Sequence, residues 1–378
     1  MEKNNKTLNV PHLRFPEFSG EWDHISLSDI ADIVGGGTPD TSVVEYWGGN
    51  IQWFTPSEIG KEKYARLSER TITEAGIKNS SAKLLPQGTV LLSSRATIGE
   101  CSIARQECTT NQGFQSLIAK TDTVTSEFLY YLVPTIKKEM LRRSCGSTFL
   151  EISANELRKI YVYRPSLIEQ NKLAEFMSLL DLRIETQKKI IEKYESLIKG
   201  IRRNLLKFES SVRTCNLKDI CKITTGKLDA NAMEEDGVYP FFTCAENSFT
   251  INTYAFDTEA LLVSGNGANV GYINYCNGKF NAYQRTYVLY DFSVNIHYVR
   301  YYMDAFLRQR IDQEKNVGNT PYIVLSTLAD MKICIPSHAR QLDVCRVIKA
   351  LENKLTLEID LYNSYRRVKD FLLRRMFI

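Results

Sequence analysis

Two segments of the sequence carry residue types suited to adenine chemistry. Gly265-Asn266-Gly267-Ala268-Asn269-Val270-Gly271 has the glycine density of a loop whose backbone can approach a cofactor closely. Asn319-Thr320-Pro321-Tyr322 sets an amide two residues before proline and ends on an aromatic ring, the parts needed to grip a flipped base. Together they would suit methyl transfer to adenine. Thr320 stands where such a motif carries proline, and the glycine loop has no βαβ context around it. A nuclease reading starts from Pro39-Asp40, but no E-x-K follows in residues 41 to 140. No G-x-x-x-x-G-K-[ST] loop is present to hold a nucleotide triphosphate. The cysteines (Cys101, Cys108, Cys145, Cys215, Cys221, Cys244, Cys276, Cys334, Cys345) form no C-x-x-C pair, and His12, His24, His297 and His338 form no i,i+4 pair. Metal and disulfide chemistry therefore lack support, and reduced, mostly buried thiols are expected.

A second set of residues suits the reading of a DNA base edge. Guanine is read by Arg or Lys, adenine by Asn or Gln, presented from loops or helix ends. Arg95 and Thr97 lie in one Ser/Gly loop, and Asn266 and Asn269 in another. Gln112 and Gln115 follow the first; Tyr283, Gln284 and Arg285 follow the second. Lys61, Lys63, Lys78 and Lys227 are candidates for holding phosphates. Each of these residue types also serves ordinary turns and surfaces. The net charge is only +4, so positive charge directed at DNA must be local. Lys137, Lys138, Arg142 and Arg143 form one such cluster, which taken alone reads better as a solvated helix face.

These residues are positioned by a unit that is written twice. Leu27-Ser28-Asp29-Ile30 returns as Leu217-Lys218-Asp219-Ile220, and Gly36 as Gly226. Ser93 to Gly99 returns, with one insertion, as Ser264 to Gly271. Phe128-Leu129-Tyr130-Tyr131 matches Tyr298-Val299-Arg300-Tyr301, and Gly146-Ser147-Thr148 matches Gly318-Asn319-Thr320. Pro165 matches Pro336 and Gln170 matches Gln341, the offset staying near 170 positions. The duplication decides against the methyl-transfer reading: the first-copy counterparts, Ser-Arg-Ala-Thr and Gly-Ser-Thr-Phe, keep neither adenine pattern.

Each copy opens with a mixed region. Short β-like runs such as Thr89-Val90-Leu91-Leu92 and Ala260-Leu261-Leu262-Val263 alternate with loops, followed by amphipathic stretches such as Glu127 to Arg143. Each copy closes with a long helix entered after a proline. In the first, Leu173, Met177, Leu180, Ile184, Gln187, Ile191, Tyr194, Ile198, Ile201, Leu205 and Phe208 alternate spacings of four and three. In the second, Val344, Ile348, Leu351, Leu355, Glu358, Tyr362, Tyr365, Lys369, Leu372 and Met376 keep the same register. Both read as coiled-coil seams, about 60 Å long at ~1.5 Å per residue. To bury its seam the second helix must run back along the first. The expected fold is α+β: two similar mixed domains separated by an antiparallel two-helix coiled coil, with a pseudo-two-fold internal repeat. Gln187 and Glu358, polar near the seam midpoints, are expected to meet and fix the register. The domains are expected at 1–166 (with a leader at 1–24), 167–208 for the first helix, 209–336, and 337–378 for the second helix.

The leader Val10 to Trp22, the segment Leu27 to Pro39, the loop Ser94-Arg95-Ala96-Thr97-Ile98-Gly99 and the helix opening at Pro165 to Gln170 resemble one family over essentially the whole chain. That family is the specificity subunit of type I restriction-modification enzymes. The resemblance implies a non-catalytic subunit in which each domain reads one half of a split, asymmetric site in double-stranded DNA. The helices would set the spacer and dock two methyltransferase subunits, with restriction/translocase subunits joining them. S-adenosylmethionine, ATP and Mg would belong to those partners and no cofactor to this chain. The other surviving reading is a scaffold for protein assembly that binds no DNA. Hydrophobic residues at 43% and charged residues at 24% describe an ordinary globular chain. No apolar run approaches the ~18 residues of a membrane span, and no secretory signal opens the sequence, so a cytoplasmic location is expected.

Overall fold

Two helices of 39 residues, Leu167–Leu205 and His338–Met376, begin just after Pro165 and Pro336. The computed structural model describes residues 9–146, 150–206, 213–314 and 322–378. The chain divides into two units: Met1–Gln187 with Leu361–Ile378, and Lys188–Asp360. Each long helix contributes one part to each unit.

Unit 1 contains α1 (Leu27–Ile30), α2 (Glu74–Lys78), α3 (Ser126–Arg142), α4 (Ala154–Arg158) and the first part of α5 (Leu167–Leu205). A five-stranded sheet runs in the order Ala31–Gly35, Gln115–Ala119, Val90–Leu92, Cys101–Ala104, Tyr64–Ala65. A three-stranded sheet holds Arg70–Ile72, Trp47–Phe54 and Cys108–Thr110. The run Val90-Leu91-Leu92 is apolar at every position because both its faces are covered. Val90 and Leu92 join the core under α3, and Leu91 joins the opposite cluster with Phe54 and Phe114. Helix α3 starts where the Thr125 hydroxyl accepts the Phe128 amide, and it buries Phe128, Leu129, Leu132, Val133, Ile136 and Met140 at helical spacing. Leu373, Met376 and Phe377 complete this core; the Phe377 ring stacks on Phe128 at 5.4 Å.

Unit 2 contains α6 (Ile296–Glu314), α7 (Leu325–Ala329) and the first part of α8 (His338–Met376). Its six-stranded sheet runs Lys222–Thr225, Thr286–Tyr290, Phe256–Ser264, Ile273–Ala282, Tyr239–Phe242, Phe249–Ile251.

The two units repeat at the level of single hydrogen bonds. Asp23–Ser26 pairs antiparallel with Tyr161–Arg164, and Arg213–Asn216 with Lys332–Ile335. The Leu27 amide bonds Ile160 O at 2.8 Å, and the Leu217 amide bonds Met331 O at 2.9 Å. Buried Gln170 accepts the Thr125 amide at 3.0 Å and donates to Pro165 O at 2.9 Å. Buried Gln341 accepts the Asn295 amide at 3.1 Å and donates to Pro336 O at 2.9 Å. Each glutamine clips the start of a long helix to the residue that precedes α3 in one unit and Ile296–Glu314 in the other.

Burial along the long helices follows the seam. In unit 1, Leu173, Met177 and Gln187 are buried, and Leu180 and Ile184 half-buried, with Tyr362, Tyr365, Lys369 and Leu372 half-buried on α8. Asp181 faces Lys369 and Arg183 faces Tyr365, so the partner's number falls as that on α5 rises and the helices run antiparallel. In unit 2, Ile198, Val344 and Ile348 are buried, and Ile191, Tyr194, Leu351, Leu355 and Glu358 half-buried. Glu358 pairs with Lys354 on its own helix at 2.7 Å. Phe208 lies outside the described residues.

Candidate nucleic-acid interface

In unit 1 three loops converge on one platform. The Ser93 amide donates to Glu100 O at 2.9 Å and the Gly99 amide to Ser93 O at 3.1 Å, closing the Ser93–Gly99 loop between two strands. The Ser94 amide donates to Gly113 O at 2.9 Å, and Ile152 donates back to Ser94 O at 3.0 Å. The Gly37 amide donates to Thr110 O at 2.8 Å. Gly36 makes this approach possible: a Cβ there would sit 2.1 Å from Asn111 O. At the turn Ala96 adopts φ +62, a left-handed conformation held by the bonds around it.

Unit 2 builds its loop with the same backbone bonds. The Ser264 amide donates to Tyr272 O at 2.9 Å and Gly271 to Ser264 O at 2.8 Å. Gly265 donates to Arg285 O at 2.9 Å and accepts from Ile323 at 2.7 Å. Gly226 packs where a Cβ would lie 2.0 Å from Ala282 O. The amides of Gly265, Val270 and Gly271 are therefore spent on the turn itself, which removes them as a cofactor cradle. Asn319, Thr320 and Pro321 lie outside the described residues; Tyr322 is exposed and bridges Asn266. Asp40 accepts the Ser42 hydroxyl and amide, which hold its carboxyl below the usual range, the pattern of a turn cap.

The side chains on the two platforms differ. In unit 1, Arg95, Thr97 and Gln112 are exposed. Arg95 lies 4.0 Å from Glu151, Thr97 shares a hydrogen bond with Ser93 at 2.9 Å, and Gln112 accepts the Thr38 hydroxyl at 2.5 Å. Gln115 is half-buried beside Gly35. In unit 2, Gln284, Arg285 and Lys227 are exposed, and Tyr283 half-buried. The Gln284 amide bonds Leu228 O at 2.9 Å, which joins Lys227's segment to this loop. Asn266 and Asn269 are half-buried over Cys244: the Cys244 thiol donates to Asn266 Oδ1 at 3.0 Å, and Asn269 donates to Cys244 O at 3.2 Å.

The expected phosphate lysines are not gathered. Lys61 and Lys78 are exposed, the latter closing α2. Lys63 is placed differently from the other lysines. Its ammonium donates to Ser178 Oγ on α5 at 2.6 Å and lies 4.9 Å from the Tyr131 ring centroid. Burial pushes its pKa down. Lys137 pairs with Glu100 at 2.8 Å, while Arg142 and Arg143 pair with Glu139. Thr38, Glu151 and Cys244 were missed by sequence reasoning. The triplet Gly35-Gly36-Gly37 pointed to Thr38, but nothing in the local sequence marks Glu151 or Cys244, whose partners lie 56 and 22 positions away by number.

The model of the type I restriction modification DNA specificity domain matches residues 19–196 and 209–364. The MjaIX specificity subunit of Methanocaldococcus jannaschii is 30% identical over 94% of this chain and 92% of its own length. The chain belongs to this specificity-subunit family. The EcoprrI specificity subunit of Escherichia coli is 24% identical over 89% of each chain. The S subunit from M. genitalium superposes with a TM-score of 0.58 at 16% identity, covering 98% of this chain and 99% of that one. A structure solved for type I R-M assembly and conformational transition reaches 0.68 at 14% identity, covering 96% and 98%. As a specificity subunit the chain is non-catalytic. Among the described residues no cluster of three or more His, Cys, Asp or Glu is arranged for a metal, and no helix is long and apolar enough to cross a membrane.

Proposed function

We propose that each domain of this specificity subunit reads one half of a bipartite, asymmetric site in double-stranded DNA. One observation carries this reading: the same backbone bonds build a loop platform in both units, and the platforms present different side chains. A shared frame with separate polar equipment suits two different half-sites. Arg95, Thr97 and Gln112 are the proposed base-edge readers of the first domain, with Gln284, Arg285 and Tyr283 in the second. Lys61, Lys78 and Lys227 remain proposed phosphate contacts, and Gln115, Asn266 and Asn269 support the loops around the readers. The long helices set the spacer and dock two methyltransferase subunits, which restriction/translocase subunits join. S-adenosylmethionine, ATP and Mg are held by those partners.

Methylome sequencing of cells carrying the complete system tests this. Exchanging residues 25 to 160 for another recognition domain is expected to change one half-site and spare the other. A change in both halves, or a single undivided motif, would overturn the reading. Lengthening the linker at 209–214, mostly outside the described residues, is expected to lengthen the gap and leave the half-sites as they are.

A further inference from the structure

Each unit contains the same three-part polar joint, assembled from different residues. In unit 1, Tyr131 of α3 donates its hydroxyl to Asp181 of α5 at 2.7 Å. Lys369 of α8 closes on the same carboxylate at 2.5 Å and lies 5.7 Å from the Tyr131 ring centroid. In unit 2, Tyr301 of α6 donates to Glu352 of α8 at 3.1 Å. Arg202 of α5 meets that carboxylate at 2.6 Å and lies 5.5 Å from the Tyr301 ring centroid.

The repeat explains only part of this. Tyr131 corresponds to Tyr301, and the offset that relates Gln170 to Gln341 also relates Asp181 to Glu352. The cations do not correspond: the counterpart of Lys369 is Ile198, and that of Arg202 is Leu373. Each unit obtains its cation from the antiparallel helix at an unrelated repeat position, yet delivers it to the same carboxylate and ring. Each joint thus ties three elements: the recognition-domain helix, the long helix that closes the same repeat, and the long helix opposed to that one.

Stability alone does not call for such a joint. Desolvating an ion pair costs about as much as the pairing returns, and apolar packing of the same volume serves stability as well. Direction is what the joint adds. The hydrophobic driving force is itself non-directional. Hydroxyl–carboxylate and ammonium–carboxylate bonds hold geometry. In unit 1 the Lys63–Ser178 bond extends the joint into the recognition domain's own loop.

We propose that Tyr131–Asp181–Lys369 and Tyr301–Glu352–Arg202 are positioning residues that hold each recognition domain at a fixed angle to its helices. They thereby govern how strictly the gap between half-sites is measured. This rests on the bipartite reading above.

The test uses the complete methyltransferase complex with full-length chain, acting on a DNA library whose half-sites are separated by varied gaps. N6-methyladenine is read by sequencing. For Tyr131→Phe and for Tyr301→Phe, half-site bases are expected to stay the same while methylation at gaps one base pair off rises about tenfold, the scale of one hydrogen bond to a charged group. Asp181→Lys and Lys369→Asp are each expected to relax the gap, and the double exchange to restore it. A folded complex with the wild-type gap profile would overturn the proposal, as would relaxed half-site bases or a double exchange that rescues only melting temperature. If the wild-type complex itself shows no divided motif, the bipartite reading fails first. If it does and the variants still measure strictly, only the joint fails.

Discussion

The two recognition domains share a frame and differ in almost everything attached to it. Besides the two-stranded pair that each unit contains, unit 1 splits its strands between a five-stranded and a three-stranded sheet, while unit 2 joins them in one sheet of six. Yet both close the loop after the central strand with matched amide bonds, and both clip a helix with a buried glutamine. Around the loop they diverge again. Unit 1 steadies it with the Arg95–Glu151 contact, unit 2 with the Cys244 thiol and two asparagines. The glycine under the turn meets the Lys137 stem in one copy and Ile311 in the other. The backbone geometry is thus the shared part, and side chains that satisfy it vary freely.

The strongest way to break this comparison is to remove the shared geometry. Gly36→Val and Gly226→Val each force a side chain into a carbonyl oxygen. Each is expected to cost about 3 kcal/mol or more, with the loss confined to its own domain. Denaturant unfolding followed by hydrogen exchange in the two halves checks this, and a tolerated substitution in either copy would show that the frame is not common to both.

Gln170→Ala is the next largest. Gln170 also donates to Thr123 O at 3.0 Å, whereas Gln341 bonds the Asn295 amide and Pro336 O. Removing it should cost about 2–3 kcal/mol, and Gln341→Ala roughly 1 kcal/mol less. Equal losses in unfolding midpoint would mean that the extra bond contributes nothing.

Arg95→Ala and Arg285→Ala sharpen the comparison at the DNA. Each should relax one base position in its own half-site by about 1–2 kcal/mol and leave the other half intact. Binding selection with randomised half-sites reads this directly; relaxation in both halves from one substitution would contradict separate reading.

The smallest effect concerns thiols. Burial pushes Cys101 and Cys108 in unit 1, and Cys221 in unit 2, up to about 12. At pH 8 these remain protonated and slow to alkylate, whereas exposed Cys145 reacts first. Mass spectrometry after brief iodoacetamide treatment checks the order. Fewer thiols are deeply buried than composition suggests: Cys215, Cys244, Cys276, Cys334 and Cys345 are only partly covered.

What the sequence made legible follows from which signals are local. The helices announce themselves because Leu173 and Met177 on one, and Val344 and Ile348 on the other, recur at helical spacing and are buried. The repeat is visible because the glycines and the Ser93 and Ser264 loops are constrained by backbone fit, which leaves few residue choices. Lys63 was illegible for the opposite reason. A lysine on a turn looks solvent-bound until α3 and α5 fold over it, and Ser178 is 115 positions away. The Trp47–Phe54 sheet was equally hidden, since it pairs in parallel with Cys108–Thr110 far along the chain, as Tyr239–Phe242 pairs in parallel with Ile273–Ala282 in unit 2.

Residues 372–378 finish the core of unit 1, where Phe377 stacks on Phe128 and the Leu13 amide bonds Arg375 O at 2.9 Å. A ribosome reaches Phe377 about 250 residues after Phe128, a delay on the order of tens of seconds at ~5–20 residues per second. Throughout that interval the nascent first domain exposes an aromatic surface with no lid. The domain made first is therefore the one whose core is finished last.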